Sequence, residues 1–476
     1  MQVSKQKQNT LNNLNKKMKT LSTVLLLFIT AIGLHAQTDT ITKKAPFEGM
    51  DLTWVNGQNR QKNFPLTLKD KDDQTVLTGV LYADTYYNYN FANPADNTQT
   101  ISATMGRHNE FTVNLASIGF ETNYKNILGR VWLQYGQMAS IVNDVDGSVY
   151  RGRNTSINNL KYIREAAAGY HFDVWHGINI EMGIFMSYIG LESYITQENW
   201  NYQRSMLCDF TPFYFSGARI QMFPSEKLKT EIWLLNGWQS YNSFSDGPGL
   251  GSSTYYRLNE NLQLVANFYL GRDTQNPDIE GNQSQRLRFH HDNSVVARYF
   301  KDAESTGISQ AAFSLNTHYG FQSNNNEGDI VKAKDNFMAG TSLANRIWFN
   351  KNKLAFTLRA DYMTNQSVVN GVNTSPYLAF TPAVAGDVPN NYDEAIANGD
   401  KLKIFQFTST FDIMPSDYVT FRLEYGYRNS NMPYFTGAGG TTSASGWTNG
   451  PTGETPWAAE LKKDEHRITL AVNFRL

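Results

Sequence analysis

The chain has 476 residues, a formal net charge of −1 and a single cysteine, Cys208. Near-balanced charge and 13% aromatic residues argue against a nucleic-acid partner, and one cysteine cannot close an internal disulfide, so Cys208 reads as a loop thiol without a role. Mean hydropathy is negative, and no apolar run approaches the roughly 20 residues of a spanning helix. A helical membrane protein is thereby excluded. A membrane barrel is not, because strands that alternate lipid-facing and lumen-facing residues average out as hydrophilic.

From the N-terminus, Lys16, Lys17 and Lys19 precede the apolar run Val24-Leu25-Leu26-Leu27-Phe28-Ile29, which closes with small residues up to Ala36. This is the charged, apolar, small-residue order of a cleaved secretory signal peptide over 1–36, and a start at Met18 would give it a more ordinary length. No lipid-attachment cysteine lies near the cleavage point. Residues 37–75 form a polar lead-in ending in Lys69-Asp70-Lys71-Asp72-Asp73, which belongs either in the periplasm or in a barrel mouth.

Residues 76–476 carry a two-residue apolar rhythm. It predicts sixteen strands near 77–91, 107–121, 128–141, 160–172, 178–191, 212–223, 228–238, 253–258, 262–271, 285–300, 306–322, 336–349, 353–366, 403–413, 418–428 and 465–476. Most reach the roughly 9 to 11 residues that a tilted strand needs to cross a membrane. Tight turns such as Pro224-Ser225-Glu226-Lys227, Asn259-Glu260-Asn261, Asn350-Lys351-Asn352 and Pro415-Ser416-Asp417 alternate with long Asn/Gly/Ser-rich connections, among them 192–211, 239–252, 323–335, 367–402 and 429–463. All long loops therefore fall at one end of the strands and all short turns at the other. The predicted fold is all-β: an antiparallel up-and-down transmembrane β-barrel with short periplasmic turns and long extracellular loops. A soluble sandwich or propeller would need no such asymmetry and would show a repeat of fixed period, of which there is none.

One phase of the strands is apolar and free of charge. Phe111, Val113 and Leu115 share a face, as do Ile178, Ile180, Met182 and Ile184, then Leu354, Phe356, Leu358, Ala360 and Tyr362, then Val419, Phe421, Leu423, Tyr425 and Tyr427. The other phase holds Asp84, Glu110, Glu165, Glu181, Arg219, Lys229, Glu231, Arg346, Arg359, Asp361, Asp412, Arg422 and Glu424. A ring of strands with these groups pointing inward encloses water or pairs them. They either line an open pore or form ion pairs inside a plugged barrel, and with both signs present no strong ion preference follows. Aromatic residues near strand ends, as at Tyr86, Tyr87 and Tyr89, at Phe213, Tyr214 and Phe215, and at Tyr255 and Tyr256, are expected to form interfacial belts.

No catalytic or cofactor motif is present, so no enzyme activity and no cofactor are expected: there is no HExxH, phosphate-binding glycine loop or Gly-x-Ser-x-Gly elbow. His290 and His291 are adjacent and point to opposite faces of a strand; His108 and His318 are isolated in the sequence.

Five stretches carry a family likeness. Glu198-Asn199-Trp200-Asn201-Tyr202-Gln203-Arg204-Ser205 with Pro212-Phe213-Tyr214-Phe215-Ser216-Gly217 and Leu235-Asn236-Gly237-Trp238-Gln239, together with Arg107-His108-Asn109-Glu110-Phe111 and the strand from Gly183 to Gly190, resemble the OmpL-like β-barrel porins of Gram-negative outer membranes. The likeness is clear over roughly residues 80–300 and rests on strand rhythm elsewhere. It implies an outer-membrane channel and carries over no catalytic residue.

Two functions follow as expectations. The first is a passive channel for small hydrophilic solutes, with Trp200, Tyr202 and Arg204 on a loop that folds inward to narrow the pore. The second is a closed barrel acting as a surface adhesin or structural protein, binding a partner through loops 367–402 and 429–463. An energy-coupled transporter would need a plug and about 22 strands, more than this chain supplies. The expected partners are the outer-membrane bilayer and, through the apolar final strand ending in Phe474 and Leu476, the outer-membrane assembly machinery. Barrels of this size often form homotrimers, though no residue marks a protomer interface.

Overall fold

Sixteen strands, each greasy on one side and wet on the other, have one way to satisfy both faces and every edge group at once, and that is to close on themselves. The computed structural model describes residues 45–55, 61–102, 105–144, 146, 160–243, 247–272, 287–323, 332–369, 372–373, 401–440 and 461–476. The signal peptide at 1–36 and most of the loops 367–402 and 429–463 lie outside the described residues.

The barrel strands are β1 (Thr75–Asn90), β2 (Phe111–Tyr124), β3 (Ile127–Tyr135), β4 (Ile163–Phe172), β5 (Ile178–Met186), β6 (Tyr214–Ser225), β7 (Leu228–Leu235), β8 (Gly249–Asn259), β9 (Leu262–Gly271), β10 (Leu287–Lys301), β11 (Ile308–Ser323), β12 (Asn336–Phe349), β13 (Leu354–Val369), β14 (Leu402–Ser416), β15 (Val419–Ser430) and β16 (Asp464–Arg475). Each pairs antiparallel with its neighbours in sequence. The seam is β16 against β1, with Tyr82 opposite Arg475 and Asn90 opposite Arg467, and Leu476 extends it by bonding both ways with Leu81. Thr67–Lys69 adds a short strand to the foot of β1.

The reversals at one end are tight. Lys125 and Asn126 between β2 and β3 both take positive φ, 49° and 68°, the twist that a two-residue hairpin turn demands. At the other end, the connections are long. Outside, large apolar side chains such as Leu343, Phe411, Phe421, Leu423 and Leu470 stand exposed in a continuous belt. Such a belt would aggregate in water and belongs in lipid. The core lies inside the barrel.

Four local readings need correction. The fifth strand stops at Met186 rather than 191, and residues 187–191 belong to the connection that follows. Leu115 does not share the outer face of Phe111 and Val113: a bulge between Asp84 and Thr85 shifts the register of β2, and Leu115 turns inward, fully buried. The third strand stops at Tyr135 rather than 141. Gly136 at φ 110° breaks it, and α1 (Gln137–Asp144) follows, burying Met138, Ile141 and Val142 at helical spacing. The eighth strand begins at Gly249, earlier than the alternation showed, because its glycines carry no pattern; a Cβ on Gly251 would collide with the Tyr188 hydroxyl.

The aromatic expectation changes as well. Tyr86, Phe213, Tyr214 and Phe215 are buried, and Phe213 and Phe215 join Phe185, Tyr188, Trp233 and Tyr269 in an internal cluster, so these rings pack the lumen and do not form a belt.

The exposed belt makes a direct prediction. Leu423→Arg, placed among Phe411, Phe421 and Leu470, should cost about 2 to 4 kcal/mol of barrel stability in lipid vesicles, measured by denaturant unfolding.

Candidate functional site

The connection between β5 and β6, residues 187–213, runs inside the barrel. A loop there must satisfy its backbone without bulk water, and the inward phase of the strands supplies the partners. Arg346 on β12 donates to the Trp200 carbonyl at 2.7 Å; Arg359 on β13 donates to the carbonyls of Gln203 at 2.7 Å and Arg204 at 3.0 Å. Arg422 on β15 donates to those of Thr196 at 2.7 Å and Asn199 at 2.6 Å. In the opposite sense, Glu424 accepts from the backbone N–H groups of Tyr202 at 2.7 Å and Gln203 at 3.1 Å. Asp84 accepts from the hydroxyls of Thr196 at 2.9 Å and Tyr202 at 3.0 Å, and from Asn473 at 2.8 Å.

The arginines are neutralised in place. Arg359 pairs with Glu192 at 2.7 Å and Asp361 at 3.1 Å, and Arg346 and Arg422 share Asp412 at 2.7 and 3.1 Å. Locally the loop is shaped by Gly190 at φ 86°, where a Cβ would press on Cys208 Sγ, and by Ser205, whose hydroxyl caps the short helix α2 (Met206–Asp209). Trp200 packs edge-on to Trp348, and Tyr202 lies beside Tyr86.

A family model described as "Putative beta-barrel porin-2, OmpL-like" matches residues 77–452. The chain belongs to this family of OmpL-like β-barrel porins. Among solved structures, it is similar to OmpT of Vibrio cholerae at 8% identity, covering 84% of this chain and 99% of that one with a TM-score of 0.45. It is also similar to the channel DcaP of Acinetobacter baumannii, at 12% identity over 86% and 99% of the two chains with a TM-score of 0.46. An anion-selective porin from Comamonas acidovorans gives 8% identity over 84% and 99%, TM-score 0.46. No functionally curated protein matches.

The porin is thus an integral outer-membrane barrel whose lumen is divided. Asp84, Arg346, Arg359, Asp361, Asp412, Arg422 and Glu424 all lie buried under the inner loop. Glu165, Glu181, Arg219, Lys229 and Glu231 stand on the other wall, β4 to β7, where Arg130 bonds Glu181 at 2.6 Å, Arg219 bonds Glu181 at 2.7 Å and Lys229 bonds Glu231 at 3.0 Å. Here the bases meet solvent while their acids Glu181 and Glu231 stay buried: the Arg130 side chain is 26% exposed and that of Lys229 21%. Glu110 does not join either wall. It precedes β2 in the loop and is held by Arg107 at 2.7 Å.

The short-turn mouth carries a second insertion. Trp54 is buried in one cluster with Val296, Ala312, Ala344 and Ala355, whose small side chains leave room for the indole, and its carbonyl accepts from Trp200 Nε1 at 2.8 Å. Asp51 pairs with Arg298 at 3.1 Å. Burial pushes the Asp51 carboxyl up, but bonds from Thr53 and Arg298 outweigh it and hold it below its ordinary value.

Arg130, Arg428, Glu465 and Arg467 share the inward phase and were findable by it; Glu192, Thr196 and Trp54 lie off any strand and left no periodic signal.

Removing one partner of a buried pair leaves its mate stranded, at about 3 to 5 kcal/mol. Arg359→Met should therefore lower the unfolding midpoint and open residues 187–213 to protease, read by mass mapping of the fragments. Arg219→Gln, on the other wall, should leave that cleavage pattern unchanged.

Proposed function

We propose that this porin passes small hydrophilic solutes along the β3 to β7 wall, with the inner loop displacing the path to that side and residues 45–55 narrowing the periplasmic end. The observation that carries this reading is the contrast in solvation: charges under the loop are buried, whereas Arg130, Arg219 and Lys229 keep contact with solvent and Glu121 beside Arg130 is exposed. Acids and bases are interspersed across this wall in similar number, so the path is nearly charge-balanced and selects by size before sign. The dense packing elsewhere, with a cavity of about 220 Å³ between the root of the loop and Tyr255, Gln263 and Val265, supports a narrow conduit.

The same packing favours a second reading, a closed barrel that binds a partner through loops 367–402 and 429–463. The porin is further read as exported by a signal peptide cleaved after Ala36, inserted through recognition of its final strand, assembled as a homotrimer and without catalytic activity or cofactor.

Planar-bilayer recording separates the two functions. Discrete conductance steps with a reversal potential near zero in a salt gradient are expected, and Arg130→Gln with Lys229→Gln should shift permeability toward cations. A barrel that inserts without any steps would sink the channel reading. N-terminal sequencing of the mature protein should begin at Gln37.

A further inference from the structure

Folding brings together side chains that the sequence keeps apart. His290 and Asp292 face inward from β10, and His318 on β11 is in register opposite Asp292. His290 Nε2 and His318 Nδ1 are 3.1 Å apart, and with an oxygen of Asp292 all three donor atoms lie within 4.8 Å of one another. Among the described residues, this is the one place where three such donors converge. All three side chains are buried, on two strands of the wall where no loop movement can scatter them.

The surroundings set the protonation pattern. Asn316 donates its amide to the Asn293 carbonyl at 3.0 Å and the Ser294 hydroxyl at 2.9 Å, which turns its Oδ1 toward His318 Nε2 at 2.8 Å. That nitrogen therefore carries the hydrogen, and Nδ1 presents its lone pair toward His290. Asp292 is steadied by Asn267 at 2.9 Å and by the Gly190 N–H at 3.2 Å. Outer hydrogen bonds that fix a ring's tautomer and a carboxylate's direction are what metal ligands require.

We propose that His290, His318 and Asp292 bind a divalent transition-metal cation of the zinc type. Two imidazoles and a carboxylate suit such cations, whereas magnesium and calcium prefer oxygen alone. Zinc–nitrogen bonds of about 2.0–2.1 Å in a tetrahedron set the two nitrogens about 3.3 Å apart, close to the separation present; on binding, His290 gives up the Nε2 hydrogen that it donates to His318 Nδ1, and both rings turn so that their lone pairs meet the cation. A carboxylate binding through both oxygens completes four-coordination. The bound cation ties β10 to β11 and, through Asp292 and Gly190, fixes the root of the inner loop.

The test refolds the full chain into detergent with and without Zn²⁺, desalts it, and counts metal by mass spectrometry while recording the thermal unfolding midpoint. One Zn²⁺ per chain and a raised midpoint are expected. His290→Gln and His318→Gln should each weaken binding at least ten-fold, and Asp292→Asn, which keeps the shape, should do the same. His291→Gln, on the neighbouring residue that bonds the Asn267 carbonyl instead, should leave the stoichiometry at one. X-ray absorption of the loaded protein should show the outer-shell scattering of two imidazole rings around the zinc. Absence of stoichiometric zinc in the folded wild type, or retention of it in the folded double variant His290→Gln/His318→Gln, would overturn the site; the double variant's folding is read from its gel shift on heating.

Discussion

The structure depends on three arginines that give their hydrogen bonds to backbone carbonyls. Arg346, Arg359 and Arg422 hold residues 196–204 of the inner loop inside the barrel. Without them a chain segment there would carry unsatisfied carbonyls that neither the lipid nor a strand ladder could reach. A guanidinium suits this task because it is always charged and offers five donors in a fixed fork, so one side chain bonds two carbonyls and a carboxylate together. The paired acids Glu192, Asp361 and Asp412 keep the charge from being stranded.

The division of the lumen follows from where these arginines stand. They lie on β12, β13 and β15, so the loop is drawn to that side, and on the other wall Arg130 and Lys229 keep contact with water. The N-terminal segment fits the same plan: Trp54 enters where Ala312, Ala344 and Ala355 leave volume, and it meets Trp200 of the loop. Wall, loop and lead-in form one continuous packing unit, and the aromatic cluster around Phe215 and Trp233 continues it toward the long-loop end.

The architecture was legible because a membrane barrel imposes a period of two over every strand, and that period survives in Leu354 to Tyr362 and in Ile468 to Leu476. It failed where the backbone departed from regular pleating. The bulge beside Asp84 turned Leu115 inward, and Gly136 let a helix replace the end of a strand. The wall charges could be found by phase, and so could Arg130 and Arg467. The loop's own partners could not, since Glu192 and Thr196 answer to the cavity they fill and to no repeat. His318 looked isolated, and His290 had only His291 beside it on the opposite face, because 28 positions separate His290 from His318 and only register makes them neighbours.

The inner loop also sets an order of events. It is synthesised before any of the arginines that satisfy it, which follow 146 to 226 positions later in the chain. Contacts so distant in sequence are slow to form. Until β12 to β15 arrive, the carbonyls of Asn199, Trp200, Gln203 and Arg204 have only water as partner, and once β16 meets β1 the wall is closed around the loop. The arginines reach the loop only from strands that the closing sheet brings round, which couples the seating of the loop to the closure of the barrel.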